Sequence, residues 1–561
     1  MGVLKNILAP SRSASRARAS LGRNYNLFEY TKGRFLFNEE LRRNERRINF
    51  NPDALAATIC HSVNRSVSEL ISFEKLAEGG FNRVFEATFT DGYAVLARLP
   101  FRITSPIRYA VASEAATLGF LRANSLPVPK VLAYSCDNTN PVGAEYLILE
   151  KIEGKLLSDQ WFTMDTKICV KIMRQIVELE ARFMSLSFPA SGSLYYQRDL
   201  NPCDRIHSID GGPGDTDQFV VGPTAQHAWS YRERARLDVD RGPWTSFLEC
   251  TQAPAKREIQ FCNQYGKPRL HVERYLRELQ EFRTLSPKDH ALRLFEYLQL
   301  TLHLDLPSTN PFARPLLRHP DFSPSNILIN PSDNTIAGVI DWQHATVLPL
   351  CLCAGIPRYF QNWGDSKSEA LAKPETKLPD GFDDLPEQEQ DVVQETMRKR
   401  LVHFYYAAYT MRKMPDHFDA LRDHNAILRA KLFDRASAPW EGDSLSLKHT
   451  ILQVQQNWPM RLTSHPPVQA DGDCPVKYSQ EERYQCVKEH EKEEEKLQEL
   501  SEMREMIGID QLGWVPDDDH LEKARDVARM IKQGLLEHSS TEIERLAILN
   551  HFPFDDHDEE E

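Results

Sequence analysis

The sequence predicts an α+β protein of two lobes, a small β-rich lobe followed by a larger, mostly helical one, with a helical C-terminal extension. Three observations predict this. Between Phe73 and Pro100 apolar and polar residues alternate in short runs broken at Gly79-Gly80 and Asp91-Gly92, the period of half-buried strands. From Lys155 onward the pattern turns helical, beginning with DTKICVKIMRQIVELEARFMSLSF. Within that helical region, HPDFSPSNILINPSDNTIAGVIDW (His319 to Trp342) sets two short apolar runs around a Pro/Ser/Asp/Asn turn.

A chain of 561 residues exceeds one simple core, and about 100–200 residues per domain implies two to four units. Its 41% hydrophobic and 27% charged residues are those of a globular protein. The net charge of -13 argues against a general nucleic-acid binder, which carries a basic footprint. Ten scattered cysteines without a CxxC pair read as free thiols in a reducing compartment. The longest uncharged apolar run near the motif, ATVLPLCLCAGIP, is too short to cross a bilayer, so no transmembrane helix is expected.

Residues 1–40 form the first segment. Lys5, Arg12, Arg16, Arg18 and Arg23, with several serines and no acidic residue before Leu27, have the composition of a mitochondrial transit peptide. A disordered basic tail is the alternative. The N-terminal lobe follows at 41–154. Asn51-Pro52-Asp53 opens a helix through Cys60. FEKLAEGGFNRVFEATFTDGYAVLARLP reads as a three-strand meander, VASEAATLGFLRANS as a helix closed by Pro127-Val128-Pro129, and AEYLILEKIEG as a strand ending at Gly154.

The helical lobe spans 155–460 and carries the motif. It includes a large Gly/Pro- and Trp-containing insertion at about 188–285, in which PRLHVERYLRELQEFRTL reads as a basic helix. Residues 461–561 form an acidic helical extension, with EHEKEEEKLQEL as a solvated helix face and DDHDEEE as a frayed tail.

His319-x-Asp321-x4-Asn326 has the spacing of a phosphoryl-transfer catalytic loop, in which the aspartate accepts the proton of the attacking hydroxyl and the asparagine binds metal. The hairpin that follows returns Asp341 beside Asn326, and one carboxylate with one amide oxygen is a reasonable protein share of a Mg²⁺ shell. Two other readings compete: an iron triad of His319, Asp321 and His344, and a plain turn. The first leaves Asn326 and Asp341 without a role, and the second leaves their joint spacing to chance.

These residues, with LAEGGFNRVFEA, YAVLARLP, SEAATLGFL and EYLILEKIEG, resemble the aminoglycoside phosphotransferase and choline kinase-like family over roughly residues 75–355. FEYTKGRFLFNEE, EGGFNRVF and RGPW look like the fungal altered inheritance of mitochondria protein 9 group, which agrees with a mitochondrial location. The resemblance implies a protein-kinase-like fold and an enzyme that transfers the ATP γ-phosphoryl group, with Mg²⁺, to an unidentified hydroxyl-bearing acceptor.

Carried over by position, Asp321 is the catalytic base and His319 braces its loop. Asn326 and Asp341 hold the metal. Glu78, Gly79, Gly80, Phe81 and Asn82 form the loop over the phosphates, and Glu150 to Gly154, including Ile152, form the adenine hinge. Arg98 stands where the family has lysine, with Glu114 as its ion-pair partner; its planar fork makes the exchange non-conservative. A catalytically weak, nucleotide-binding pseudokinase scaffold is therefore the second reading. His344 reads as a packing residue, and Trp161 and Trp244 are candidates for a substrate surface.

Overall fold

The computed structural model describes residues 27–209, 218–458 and 473–560. Residues 1–26, most of the expected targeting segment, lie outside them. The first lobe opens with two short helices, α1 (Glu39–Glu45) and α2 (Pro52–Ser62). Asn51 caps α2 by accepting from the Ala54 N–H, with Pro52 at the first helical position.

A five-stranded antiparallel sheet follows, built from β1 (Leu70–Glu78), β2 (Asn82–Phe89), β3 (Ala94–Pro100), β4 (Val131–Ser135) and β5 (Tyr146–Glu150), in the order β1-β2-β3-β5-β4. Alternation along β2 and β3 buries Phe85, Ala87, Phe89, Val95, Ala97 and Leu99 on one face. The same period of two sends Arg98 to the opposite face. There it meets helix α3 (Tyr109–Ala123), an alanine-rich helix buried almost all round.

The larger lobe is organised on α4 (Thr166–Met184), capped by Asp165. The insertion pairs Ser193–Tyr196 with Phe219–Gly222 and then His207–Ser208. Its helix α5 (Phe247–Gln264) packs on α6 (Pro287–Leu304). Strands β6 (Ile327–Ile329) and β7 (Ile336–Val339) form the motif hairpin, with Lys155–Leu156 beside β6. Four helices complete the lobe: α7 (Glu387–Lys413), α8 (Pro415–Arg422), α9 (His424–Ser437) and α10 (Leu445–Asn457). The extension adds α11 (Gln480–Ile507), α12 (Asp518–His538) and α13 (Glu542–His551). Among the described residues no helix is long and apolar enough to cross a membrane, and all ten cysteines are free.

Three local expectations need correction. Residues 27–40 belong to the folded lobe: Leu27, Tyr30 and Phe35 are buried, and Arg34–Phe35 pairs with Trp514–Val515. The acidic tail is docked, because the Asn38 N–H donates to Asp556, Arg42 pairs with Glu559, and Arg269 donates to the Glu559 carbonyl at 2.9 Å. The basic run contains only a 3₁₀ segment, Arg274–Gln280; Glu281 and Phe282 both take positive φ and stop it.

The fold also buries neutral histidines. His290 and His417 are 3% and 1% exposed, and burial lowers both to about 4. Their folded pKa lies below the unfolded value, so their stabilising contribution is complete above about 6.5 and is lost as pH falls towards 4. Unfolding free energy is expected to drop by roughly 3 kcal/mol per histidine across that window. Urea titrations at pH 7.5, 6 and 5 measure it, and a flat profile would contradict the assignment.

Candidate active site

Asp321 lies in the loop between strand Pro315–Leu317 and the 3₁₀ turn Pro324–Asn326. Its backbone N–H donates to His319 Nδ1 at 3.1 Å, and His319 Nε2–H donates to the Ile340 carbonyl at 2.9 Å. Those two bonds specify the neutral tautomer. Burial supports it by lowering the pKa of the ring. Trp342, fully buried, sets its ring edge-on to His319 at 4.6 Å and to Phe183 at 4.9 Å. With no ring nitrogen free, His319 is built as a brace.

Asn326 donates from Nδ2 to the Asp321 carbonyl at 2.9 Å and to its carboxylate at 3.0 Å. Ser323 Oγ adds a longer bond to the same carboxylate, 3.4 Å. The Asp321 side chain is thus oriented while the residue stays exposed. Among the described residues nothing donates to the Asn326 amide oxygen. The Ile340 N–H donates to the Asn326 carbonyl at 3.0 Å, which brings Asp341 beside it. Asp341 and His344 both sit in the left-handed region, with φ of 64° and 62°. That geometry costs a non-glycine residue about 1–3 kcal/mol and clusters at functional sites.

Arg98 joins the lobes. Its guanidinium pairs with the buried Glu114 of α3 and, at 3.0 Å, with Asp341. Burial lowers the Arg98 pKa, but a guanidinium between two carboxylates stays charged. Nothing in the sequence pointed to the Asp341 contact.

The glycine loop is more engaged than expected. Gly79 and Gly80 have no positive φ, and little or nothing stands where a Cβ would be, so neither strain nor packing demands glycine there. A bare backbone suits close approach of a phosphate. Phe81 instead packs against His227 and His344, with ring centroids 5.4 and 5.6 Å away. Asn82 donates to Gln343 at 2.6 Å. Glu78 is structural: it accepts from the Thr31 and Lys32 N–H groups and pairs with Arg83.

In the hinge, the Glu150 carboxylate accepts from the Lys130 N–H at 3.0 Å and pairs with Arg122 at 3.1 Å. Ile152 packs over Gly338 of β7, where a Cβ would lie 2.4 Å from its Cδ1. Gly338→Ala is expected to cost about 1–3 kcal/mol by overpacking. Urea unfolding would show it, and a cost near zero would mean that Ile152 moves aside freely.

Trp161 and Trp244, candidates for a substrate surface, are core residues at 1% and 4% exposure. His344 donates from Nδ1 to the Ala225 carbonyl at 2.8 Å, and burial lowers its pKa. The residues that sequence reasoning missed, His227, Gln343, Arg358 and Lys431, carry no motif and are gathered by the fold. A cavity of about 960 Å³ opens at Asp321, His319 and His344 and is walled in part by Trp363, Arg358 and Lys431.

Asn326 and Asp341 offer oxygen donors alone, and the Asp341 side chain is half exposed, a donor set whose chemistry fits Mg²⁺. The model of the phosphotransferase enzyme family matches residues 72–351, which include all but the first two residues of the five-stranded sheet and the whole motif hairpin. A subtelomeric hrmA-associated cluster protein of Aspergillus fumigatus is 33% identical over 490 residues, covering 82% of this chain and 92% of the relative. The mitochondrial altered inheritance of mitochondria protein 9 of Clavispora lusitaniae is 23% identical, covering 88% of this chain and 86% of its own. A crystal structure of aminoglycoside phosphotransferase APH(4)-Ia with AMP-PNP and hygromycin B aligns at 13% identity and a TM-score of 0.33, over 72% of this chain and 97% of that one. On the strength of the family match and of the first relative's length and identity, the chain belongs to the phosphotransferase enzyme family.

Proposed function

We propose that this protein is a mitochondrial phosphotransferase that moves the γ-phosphoryl group of Mg-ATP to a hydroxyl bound in the cavity beside Asp321. One observation carries the reading: the Asp321 carboxylate is oriented by Asn326 and Ser323 and opens on a cavity of about 960 Å³. Asp321 takes the proton of the acceptor hydroxyl. His319 holds the loop at that position, and Asn326 and Asp341 are the residues that would hold Mg²⁺. Bound there, Mg-ATP supplies the phosphoryl group and the cation offsets charge on its oxygens. Arg98 pairs with Asp341 and Glu114 together and so ties the Asp341 carboxylate to α3. The mitochondrial placement draws on the names of the yeast relatives and on the basic, acid-free N-terminus.

The cavity also bears on the acceptor. Among the described residues lining it, Asp321 is the one carboxylate. Arg318 is spent on Glu180; Arg358 is in no ion pair among the described residues, and Lys431 donates to the Gln453 amide oxygen at 3.1 Å within the field of Glu494. A polycation such as an aminoglycoside would find little to bind, so the acceptor is a neutral or anionic alcohol.

A non-catalytic, nucleotide-binding scaffold is the second reading, favoured by the Arg98–Asp341 ion pair, which competes with a metal for that carboxylate. Mg-dependent ATP binding by the full chain, followed by turnover assays with phosphorylated, carboxylated, neutral and aminoglycoside alcohols, separates the two. The enzyme reading expects binding and turnover with a non-cationic acceptor, and a several-fold higher KM for Arg358→Ala with Lys431→Ala. Binding without turnover across the panel supports the scaffold. No nucleotide binding at all sinks both.

A further inference from the structure

The insertion, the helical lobe and the C-terminal extension meet at a second cluster, far from Asp321 in the sequence. One ligand atom from each of His271, Asp443 and Glu493 lies within 4.8 Å of the others. His271 follows α5 in the insertion, Asp443 lies in the loop between α9 and α10, and Glu493 is in the middle of α11.

The ring of His271 is aimed into this cluster and is only 7% exposed. Its Nδ1 lies 3.0 Å from the Glu273 N–H and 3.3 Å from the Glu273 carbonyl. Its Nε2 is buried without a hydrogen-bond partner among the described residues. A buried imidazole nitrogen without a partner beside two carboxylates is costly, and a bound cation would satisfy all three groups together. With Nδ1 accepting from the Glu273 N–H, the neutral ring carries its proton on Nε2; binding a metal through Nε2 moves that proton to Nδ1, which then donates to the Glu273 carbonyl 3.3 Å away, the usual support of a ligating histidine.

The carboxylates are similarly arranged. Asp443 accepts from the Leu445 N–H at 2.7 Å and from Ser446, which orients it while leaving lone pairs over. Glu493 has no hydrogen-bond or ion-pair partner among the described residues. Burial, and then Asp443, raise its carboxyl to about 7.

The backbone around the site is held closely. The Val272 N–H donates to the Glu441 carbonyl at 3.1 Å, and Arg277 donates to the His271 carbonyl at 2.9 Å. Gly442, at φ 89°, lets the Asp443 loop approach: a Cβ there would stand 2.7 Å from the Leu270 carbonyl oxygen. Arg504 of α11 also reaches Glu273 at 2.9 Å.

We propose that His271, Asp443 and Glu493 bind one divalent transition-metal ion, Zn²⁺ by preference, which staples the insertion and the helical lobe to the C-terminal extension. One imidazole with two carboxylates favours a borderline cation over Mg²⁺ or Ca²⁺, and three protein ligands leave a position for water. The ion is separate from the phosphoryl-transfer site and does not depend on the activity proposed there.

The full chain, purified without a metal-binding tag and stripped with a chelator, tests this by competitive Zn²⁺ titration against a chromophoric chelator. The expected result is one tight equivalent. His271→Ala and Glu493→Gln should each weaken it by at least roughly 10–100-fold. Bound Zn²⁺ should also slow tryptic cleavage within α11, and Co²⁺ in its place should give a visible absorption band that both variants lose. Glu493→Gln removes no hydrogen bond among the described residues, so it keeps the test meaningful if His271→Ala does not fold. His449 and His490, whose ring centroids are 3.8 Å apart, are the competing imidazole pair. His449→Ala should leave the affinity unchanged. The proposal is overturned if the wild type binds no Zn²⁺, if Glu493→Gln binds it as well as wild type, or if His449→Ala abolishes binding.

Discussion

Asp321→Asn is expected to lower phosphoryl transfer by about 10³-fold, close to 4 kcal/mol of transition-state stabilisation, while leaving Mg-ATP affinity within a few-fold of wild type. The substitution is isosteric, and the asparagine oxygen can still accept the bond that Asn326 now donates to the carboxylate at 3.0 Å. The His319 bond to the residue 321 backbone is untouched. What disappears is the capacity to take a proton from the acceptor hydroxyl. Single-turnover assays beside a nucleotide titration separate the two effects. Equal turnover in the variant and the wild type would remove Asp321 from the chemistry and leave the cavity beside it without its proposed role.

Glu258→Ala is expected to be the most destabilising single change in the insertion. Glu258, fully buried, holds Arg234 and Arg257, both at most 1% exposed, and accepts from the Trp440 N–H at 2.8 Å. Burial alone would raise the carboxyl, but the Arg234 hydrogen bond and the two guanidinium charges outweigh it, so the group sits below its usual value and stays ionised. Each arginine also lies over a ring, Arg234 over Phe261 at 3.6 Å and Arg257 over Trp229 at 4.9 Å, so neither can turn out to water. Removing the carboxylate strands two buried cations, at a cost of about 3–5 kcal/mol or more. Glu258→Gln should recover only part of it, because an amide accepts a hydrogen bond without neutralising charge. Urea unfolding decides, and a loss below about 1 kcal/mol would mean that water reaches the guanidinium groups.

Much of the fold was legible in the sequence. The meander Leu70–Pro100, helix α3 and the hairpin after Asp321 could be read because each is made by neighbours in sequence: alternation for strands, a cap and Pro52 for α2, a Pro/Asn turn for the hairpin. The Asp321, Asn326 and Asp341 constellation was legible for the same reason, since one loop and one hairpin bring it together. The basic run after Pro268 misled because its helical period was real while Glu281 and Phe282 broke the backbone. The acidic tail misled because charge was read as solvation. Its partners, Asn38, Arg42 and Arg269, lie hundreds of residues away.

The amino-acid order alone settles the two-lobed class, the strand face that carries Arg98 and the loop that carries Asp321, since those follow from local period and spacing. Long-range packing settles the rest: that Arg98 reaches Asp341 as well as Glu114, that Phe81 closes on His227 and His344, that residues 27–40 and the C-terminal tail share one lobe, and that His271, Asp443 and Glu493 converge. The physical reason is common to all four. A charge or a ring fixes how strongly it wants a partner, but which partner it meets depends on where the folded chain brings distant segments together.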